Sequence, residues 1–441
     1  MSVPRIKIKP PGPKAQTIIE KDRNHTAPAY GRVYPLVMKE GRGTAVEDVD
    51  GNLFLDFMAG IAVASTGHSH PKVVKAIEEQ ARKFLHICGS DFYYEPMAQL
   101  AEKLAQLAPG ASAKKVFLTN SGTEAIEAAL KLARYATGRK HVIAFFGAFH
   151  GRTMGSLSLT ASRSSHRAQF SPLIPDIHHV PYAHCQRCPY HLKHDSCGVE
   201  CVRYIEQVLF RYKVAPGEVA AVFVEPIQGE GGYIVPPPEF LPMLQDLCRR
   251  HGILLIADEI QSGFGRTGKM FASEHWGIEP DVVCVAKGIA SGMPLGAMIA
   301  RDEISTWTRG AHGSTYGGNP VACAAALATI ALIEDGLLDN AAAVGSYLQE
   351  KLTRLQKAHS TIGNVRGLGL MIGVEFARSD ADRTPDPQRR DQVVLKCFEN
   401  GLLLLGCGES TIRFCPPLIV TREEVDTAMT IFDAAIRETA Q

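Results

Sequence analysis

The run Ile253-Leu254-Leu255-Ile256-Ala257-Asp258-Glu259 decides the fold of this chain. Five apolar residues ending in a carboxylate predict a buried parallel strand whose C-terminal tip carries function. Downstream come Gln261-Ser262-Gly263-Phe264-Gly265-Arg266-Thr267-Gly268 and a β-branched run, Val282-Val283-Cys284-Val285, which delivers Ala286-Lys287-Gly288. In an open α/β sheet, ligands occupy the crevice beyond the carboxyl ends of the strands, so Asp258 and Lys287 are expected to face one another there.

The same scheme recurs upstream. Val116-Phe117-Leu118-Thr119 ends at Asn120-Ser121-Gly122-Thr123-Glu124-Ala125 and opens a helical stretch over 125–135. Residues 141–146 end at Gly147-Ala148-Phe149-His150-Gly151-Arg152-Thr153. Residues 219–224 end at Glu225-Pro226-Ile227-Gln228-Gly229-Glu230-Gly231-Gly232, before a helical stretch over 240–250. Strands alternating with helices predict an α/β fold with a mostly parallel sheet. Five strand candidates that each end in polar or glycine-rich sequence predict a site built along one sheet edge.

The remaining segments frame that sheet. Residues 1 to about 35 carry several prolines and little periodicity, and predict an arm lying over another surface. Asp50-Gly51-Asn52 between alternating apolar residues predicts a hairpin. Residues 71–84 show a helical period, with Val73, Val74, Ile77, Ala81 and Phe84 on one face and Pro71 near the first turn. The Ala-rich run 321–333 is too short to span a bilayer and reads as a buried helix. It leads into a smaller C-terminal unit with a strand over 369–376, a charged loop near 379–390 and a return strand over 412–418.

Composition narrows the function classes. Across 441 residues, 47 Lys and Arg balance 46 Asp and Glu, which leaves no electrostatic footprint for nucleic acid or an anionic membrane. The N-terminus has no apolar core of a signal peptide, and eleven cysteines without one predict reduced thiols in a cytoplasmic protein. Cys185, Cys188, Cys197 and Cys201, with His184, His191 and His194 interspersed, have a count compatible with structural zinc. The Cys197-x3-Cys201 spacing is unusual, however, so free thiols are the favoured reading and no metal is expected.

Taken singly, each motif has an ordinary alternative. Asn120-Ser121-Gly122-Thr123 at a strand-to-helix junction is either a phosphate cradle or a plain helix cap. Phe149 is either a platform for a flat ring or core. Gln261 is either a ligand contact or a turn residue. Arg152 and Arg413 are either carboxylate clamps or surface charges. Lys287 beside Asp258 is either a structural ion pair or a lysine forming a Schiff base with pyridoxal phosphate, with the aspartate keeping the ring nitrogen protonated.

Together with Thr315-Tyr316-Gly317-Gly318-Asn319-Pro320, these stretches resemble the class III (subgroup II) pyridoxal-phosphate-dependent aminotransferases of fold type I. The likeness runs in order from about residue 35 to the C-terminus. It implies an N-terminal arm and part of a small domain over 1–61, a large cofactor-binding domain over 62–330 and a C-terminal small domain over 331–441. By resemblance, Lys287 is the Schiff-base lysine and proton shuttle, and Asp258 the partner of the ring nitrogen. Gln261 hydrogen-bonds the phenolic oxygen and Phe149 stacks on the ring, with His150 nearby. Ser121, Gly122 and Thr123 bind phosphate, and Glu225 is among the residues that bind the cofactor. The residue matching Thr315 comes from the neighbouring subunit in this family, which implies a homodimer or a dimer of dimers.

Within the class, the sequence is similar to 4-aminobutyrate aminotransferases around Gly60-Ile61-Ala62-Val63, Arg152, Glu230 and Arg413. The substrate contacts implied are Ile61, Arg152, Glu230 and Arg413. Arg152 holds the ω-amino acid's carboxylate, and Arg413 alternates between Glu230 and the α-carboxylate of glutamate or 2-oxoglutarate. The activity implied is ping-pong transamination from 4-aminobutyrate to 2-oxoglutarate. Ser158-Leu159-Thr160-Ala161-Ser162 and Gly406-Cys407-Gly408-Glu409-Ser410-Thr411-Ile412-Arg413 also resemble the amino-acid racemase and epimerase branch. An ornithine or acetylornithine aminotransferase is a further alternative.

Overall fold

A central sheet of seven strands organises the molecule, and the chain enters it only after three strands of a separate sheet. The computed structural model describes residues 3–379, 381 and 383–439. The first strands are β1 (Met38–Arg42), β2 (Ala45–Asp48) and β3 (Leu53–Asp56). β2 and β3 form the hairpin expected of Asp50-Gly51-Asn52. Its turn is locked from within, because Asp48 Oδ1 accepts the N–H groups of Asp50 and Asn52 at 3.0 and 2.8 Å.

The expected arm is partly a helix, Pro13–His25. Proline at the first helical position costs no hydrogen bond. The Asp50 carboxylate of the hairpin accepts the first-turn N–H groups of Lys14 and Ala15, each at 3.0 Å. That long-range cap supplies what the local sequence does not show. The helix expected over 71–84 is Pro71–Lys83, but its face differs from the periodic one. Val73 and Gln80 are buried, whereas Val74 and Phe84 are exposed.

The central sheet comprises β4 (Lys114–Thr119), β5 (His141–Phe145), β6 (Ile177–Val180), β7 (Val219–Val224), β8 (Leu254–Asp258), β9 (Val282–Val285) and β10 (Gly296–Arg301). Their spatial order is β4-β10-β9-β8-β7-β5-β6. The five strands expected from sequence run parallel with β6, so their carboxyl ends share one edge. The sequence reading missed β6 and β10. β10 runs antiparallel between β4 and β9, which brings its N-terminal end to that same edge.

Alternation along the strands separates the two faces. Ile143, Phe145, Val222, Val224 and Leu255 pack with the helix Phe240–His251 on one side. Val142, Ala144, Ala221, Phe223, Leu254 and Ile256 pack with the helix Gly122–Thr137 on the other. Each buried Val, Leu, Ile or Phe is worth roughly 1.5–3 kcal/mol, so the sheet is a stiff base for its loops.

The C-terminal strands are β11 (Ile362–Leu368), β12 (Met371–Phe376), β13 (Leu402–Leu403), β14 (Leu405–Cys407) and β15 (Thr411–Phe414). β11, β12, β15 and β14 form one antiparallel sheet, while β13 runs parallel to β3 and joins the N-terminal sheet. The strand expected over 369–376 has an unforeseen partner in β11. The charged loop gives way to a helix at Pro387–Glu399, and positions 380 and 382 of that loop lie outside the described residues.

The Ala-rich stretch is the helix Pro320–Leu332, which continues through a kink at Asp335 and Gly336 to Ala358. Among the described residues, this helical run is long and apolar enough to cross a membrane by length and hydropathy. Its apolar side chains instead pack into the largest core cluster.

Candidate active site

The tips of β4, β5, β7, β8 and β9 surround a cavity of about 440 Å³. Its lining includes Ser121, Gly122, Thr123, Phe149, His150, Arg152, Glu225, Asp258, Gln261 and Lys287. Ten residues singled out on the sequence therefore meet around one space. Asp258 pairs in register with Cys284, three positions before Lys287 on the adjacent strand. Lys287 itself has φ 48°, a left-handed conformation uncommon for a side-chain-bearing residue.

Hydrogen bonds fix the aspartate on two sides. Ile260 N–H donates to Asp258 Oδ1 at 3.0 Å, and His150 Nδ1 lies 2.7 Å from Oδ2. The His150 ring is buried and its Nε2 has no partner among the described residues. His150 thus orients Asp258 rather than adding a second face to the cavity's contents.

A second carboxyl group stands close by. Burial, and then the Asp258 charge, push the Glu225 carboxyl well above the usual carboxylate range. Gly229 N–H reaches Glu225 Oε1 at 3.4 Å, while Oε2 is buried without a partner. Two adjacent buried carboxyls disfavour a second charge between them, and on Glu225 that favours the protonated acid. A raised acid stabilises the fold fully below the ordinary Glu range, and that contribution falls as pH rises from there towards the folded-state value. Glu225→Gln, which mimics the protonated form, is expected to keep cofactor retention near wild type at pH 7. It should also flatten the decline of melting temperature with rising pH. A tenfold loss of cofactor affinity at pH 7 would show that Glu225 acts as an anion.

Burial lowers the Lys287 ammonium from its ordinary range, against the pull of Asp258 and Glu225. The neutral amine that this favours is the nucleophilic and basic form.

The phosphate cradle has its own logic. Ser121 caps the helix Gly122–Thr137, its side chain accepting from Glu124 N–H at 3.4 Å. The first-turn N–H groups of Gly122 and Thr123 have no acceptor within a helix and attract an anion. Gly151 lies beside Thr123 at φ +131°, and a Cβ there would sit 2.4 Å from Thr123 Oγ1.

Gln261 is set by a residue that sequence reasoning missed. Tyr233, wholly buried, donates its O–H to Gln261 Oε1 at 2.8 Å. Ile260 and the turn Gly292-Met293-Pro294-Leu295, also missed, line the cavity, and from Gly60-Ile61-Ala62-Val63 it is Val63 rather than Ile61 that does so. The Gly-x-Pro signal in that turn was legible, but its location depends on the direction of β10.

Of the remaining candidates, Glu230, Arg413, Ile61 and Thr315 are not part of the cavity lining. Glu230 Oε2 and Arg413 Nη2 form an ion pair at 2.8 Å. Ile61 and Thr315 are exposed and do not line the cavity. Arg152 lies at the rim, its guanidinium carbon 5.6 Å from the centre of the Phe149 ring, and has no ion-pair partner among the described residues.

The cysteine-rich insert folds as the turn Cys185–Arg187 and two short helices, His194–Cys197 and Glu200–Tyr204. Its four cysteines line one small cavity of about 20 Å³. Among the described residues, no three His, Cys, Asp or Glu groups are arranged to hold a metal ion. Burial pushes the Cys201 thiol up to about 12.

The cavity brings a lysine, an aspartate and a helix N-terminus together, and the sequence matches a family model described as class III aminotransferase over residues 26–436. The chain belongs to the class III aminotransferases. An alanine/serine racemase of Pyrococcus horikoshii is 40% identical over 100% of this chain and 94% of that protein. A 4-aminobutyrate aminotransferase of Mycobacterium tuberculosis is 40% identical over 98% of each. Among solved structures, a PLP-bound amine transaminase from an uncultivated Pseudomonas species aligns with a TM-score of 0.86. It is 32% identical, over 94% of this chain and 97% of that one. This class III aminotransferase uses pyridoxal phosphate. The unpartnered carboxyl oxygen of Glu225, the free first-turn N–H groups and the neutral-leaning lysine fit that group.

Proposed function

We propose that this class III aminotransferase moves the amino group of an ω-amino acid, 4-aminobutyrate for preference, to 2-oxoglutarate by a ping-pong mechanism. The observation that carries this reading is the division of three charges: Arg152 unpaired at the cavity rim, and a buried Arg413 paired with Glu230 outside the cavity lining. One pocket must accept two substrates that differ by a carboxylate. A buried arginine that can be neutralised in place avoids an unpaired charge when the smaller substrate binds.

Bound pyridoxal phosphate supplies the electron sink for the carbon that bears the amine. The chain's residues do the rest. Ser121, Gly122 and Thr123 hold the phosphate, Phe149 stacks on the ring and Gln261 hydrogen-bonds its phenolic oxygen. Asp258 keeps a proton on the ring nitrogen, held in place by His150 and Ile260 N–H. Lys287 Nζ attaches the cofactor and then carries a proton to and from the substrate carbon.

A homodimer completes the site in this reading. Thr315 stands beside an exposed apolar patch containing Leu85, Phe92, Tyr93 and Tyr316. The patch is tied together by Asn319 Nδ2, which donates to Leu85 O at 2.9 Å, and by the 4.8 Å contact of the His86 and Tyr316 rings. A patch of this kind suits a partner's surface. The eleven free cysteines suit a reducing, cytoplasmic setting.

Adding 4-aminobutyrate alone to the holoenzyme should shift its visible absorbance stoichiometrically, and 2-oxoglutarate should restore it. A spectrum indifferent to 4-aminobutyrate sinks this donor, and the same assay with ornithine and acetylornithine tests the alternative donors. The second reading, amino-acid racemisation, is favoured by a racemase relative that matches the entire chain. It predicts loss of optical rotation from a chiral amino acid with no oxo acid present.

A further inference from the structure

Glu230 faces two cations. Its Oε2 meets Arg413 Nη2 at 2.8 Å, while its Oε1 lies 3.4 Å from Arg163 Nη2. We propose that Arg163 is a second counter-ion to Glu230, a positioning residue that holds this carboxylate when Arg413 turns away to bind a substrate α-carboxylate. The inference rests on the transaminase reading above and adds a residue to it.

The geometry ties Arg163 to the hairpin that carries Arg413. Arg163 Nη2 donates to Gly408 O at 3.0 Å, in the turn between β14 and β15. Gly408 N–H in turn donates to Glu230 O at 2.7 Å, and Arg413 Nη2 donates to Gly406 O at 2.8 Å. Arg163, Glu230 and Arg413 thus meet across one turn, in order of decreasing exposure: side chains 41%, 19% and 4% exposed. Arg163 also lines a second cavity of about 560 Å³, shared with Arg366, Arg390 and Glu409, which gives its side chain room to follow Glu230.

The sign follows from the charges. With Arg413 on Glu230, Arg163 repels Arg413 across the shared carboxylate and so weakens that pair. Once Arg413 has left, Glu230 would be a mostly buried carboxylate without a partner, were Arg163 not beside it. Both effects favour the state in which Arg413 is free to meet a substrate. An ordinary surface pair would do neither, because its removal would act alike on both half-reactions. As a partly exposed pair is worth up to about 1 kcal/mol, its loss corresponds to ~5-fold.

The test compares Arg163→Met with wild type as holoenzymes, following the absorbance change on mixing with glutamate alone or 4-aminobutyrate alone. We expect half-saturation by glutamate to rise ~5-fold and by 4-aminobutyrate to stay within twofold. Arg163→Lys should recover part of the loss. In a Glu230→Gln background, Arg163→Met should have no selective effect. Equal losses in both half-reactions, no loss in either, or an undiminished effect in the Glu230→Gln background would overturn the proposal. A wild-type enzyme inert to both donors would instead overturn the transaminase reading on which it stands.

Discussion

Lys287→Ala is expected to lower turnover by at least ~10⁴-fold, because it removes both the covalent anchor and the proton carrier. The amine belongs to a half-buried residue just beyond the tip of β9, and its desolvation there disfavours the charged form. No other cavity-lining side chain offers a primary amine: Asp258 and Glu225 are acids, Arg152 is a guanidinium and the His150 ring is held on Asp258. The variant should still fold, since an alanine side chain leaves only a larger void in a cavity already present. It should also still bind pyridoxal phosphate through the cradle at Ser121, Gly122 and Thr123. Borohydride treatment followed by intact mass would separate the two roles. Wild type should gain the mass of the reduced cofactor and the variant should not. A small primary amine added to the variant should restore part of the activity. Activity within tenfold of wild type, without added amine, would remove Lys287 from the chemistry.

Asp258→Asn is the second large effect, with kcat expected to fall by ~10²–10³-fold, the usual loss when one preorganised electrostatic group is removed. Asparagine can keep the contact from Ile260 N–H, but it carries no charge to hold a proton on a ring nitrogen. It also leaves His150 Nδ1 facing a neutral group. Steady-state rates with saturating donor and acceptor measure the effect, and a shift of the holoenzyme's visible spectrum should accompany it. Asp258→Glu should recover little, because the carboxylate is positioned by two short contacts that an added methylene displaces. Retention of more than a tenth of the wild-type kcat in Asp258→Asn would mean that the ring nitrogen does not need a charged partner here.

Much of this site is legible in the sequence because each part lies at the end of a short apolar run. Val282-Val283-Cys284-Val285 before Lys287, and Ile253 to Ala257 before Asp258, announce strand tips directly, and parallel strands share an edge. Reading each tip as functional therefore assembles the site without coordinates. What escaped depends on direction and distance. β10 begins at Gly296 on the cavity side only because it runs antiparallel, and nothing in Gly296 to Arg301 states its direction. Tyr233 orients Gln261 across 28 positions of sequence, and Asp50 caps the helix at Pro13–His25 across 36. Periodicity within a window carries no trace of such partners. The face of Pro71–Lys83 failed for another reason: Val74 and Phe84 follow the helical period yet are exposed in the single chain.

The separation between sheet tips and hairpin has a consequence for how such a protein can diverge. The groups assigned to the cofactor hang from strands stiffened by a common core, whereas Arg152, Arg163, Glu230 and the turn ahead of Arg413 belong to loops beyond it. Drift in those loops can retune which molecule is accepted while the reactive machinery stays untouched. Two relatives equally distant from this chain, one a racemase and the other a transaminase, are what such a modular inheritance would leave behind.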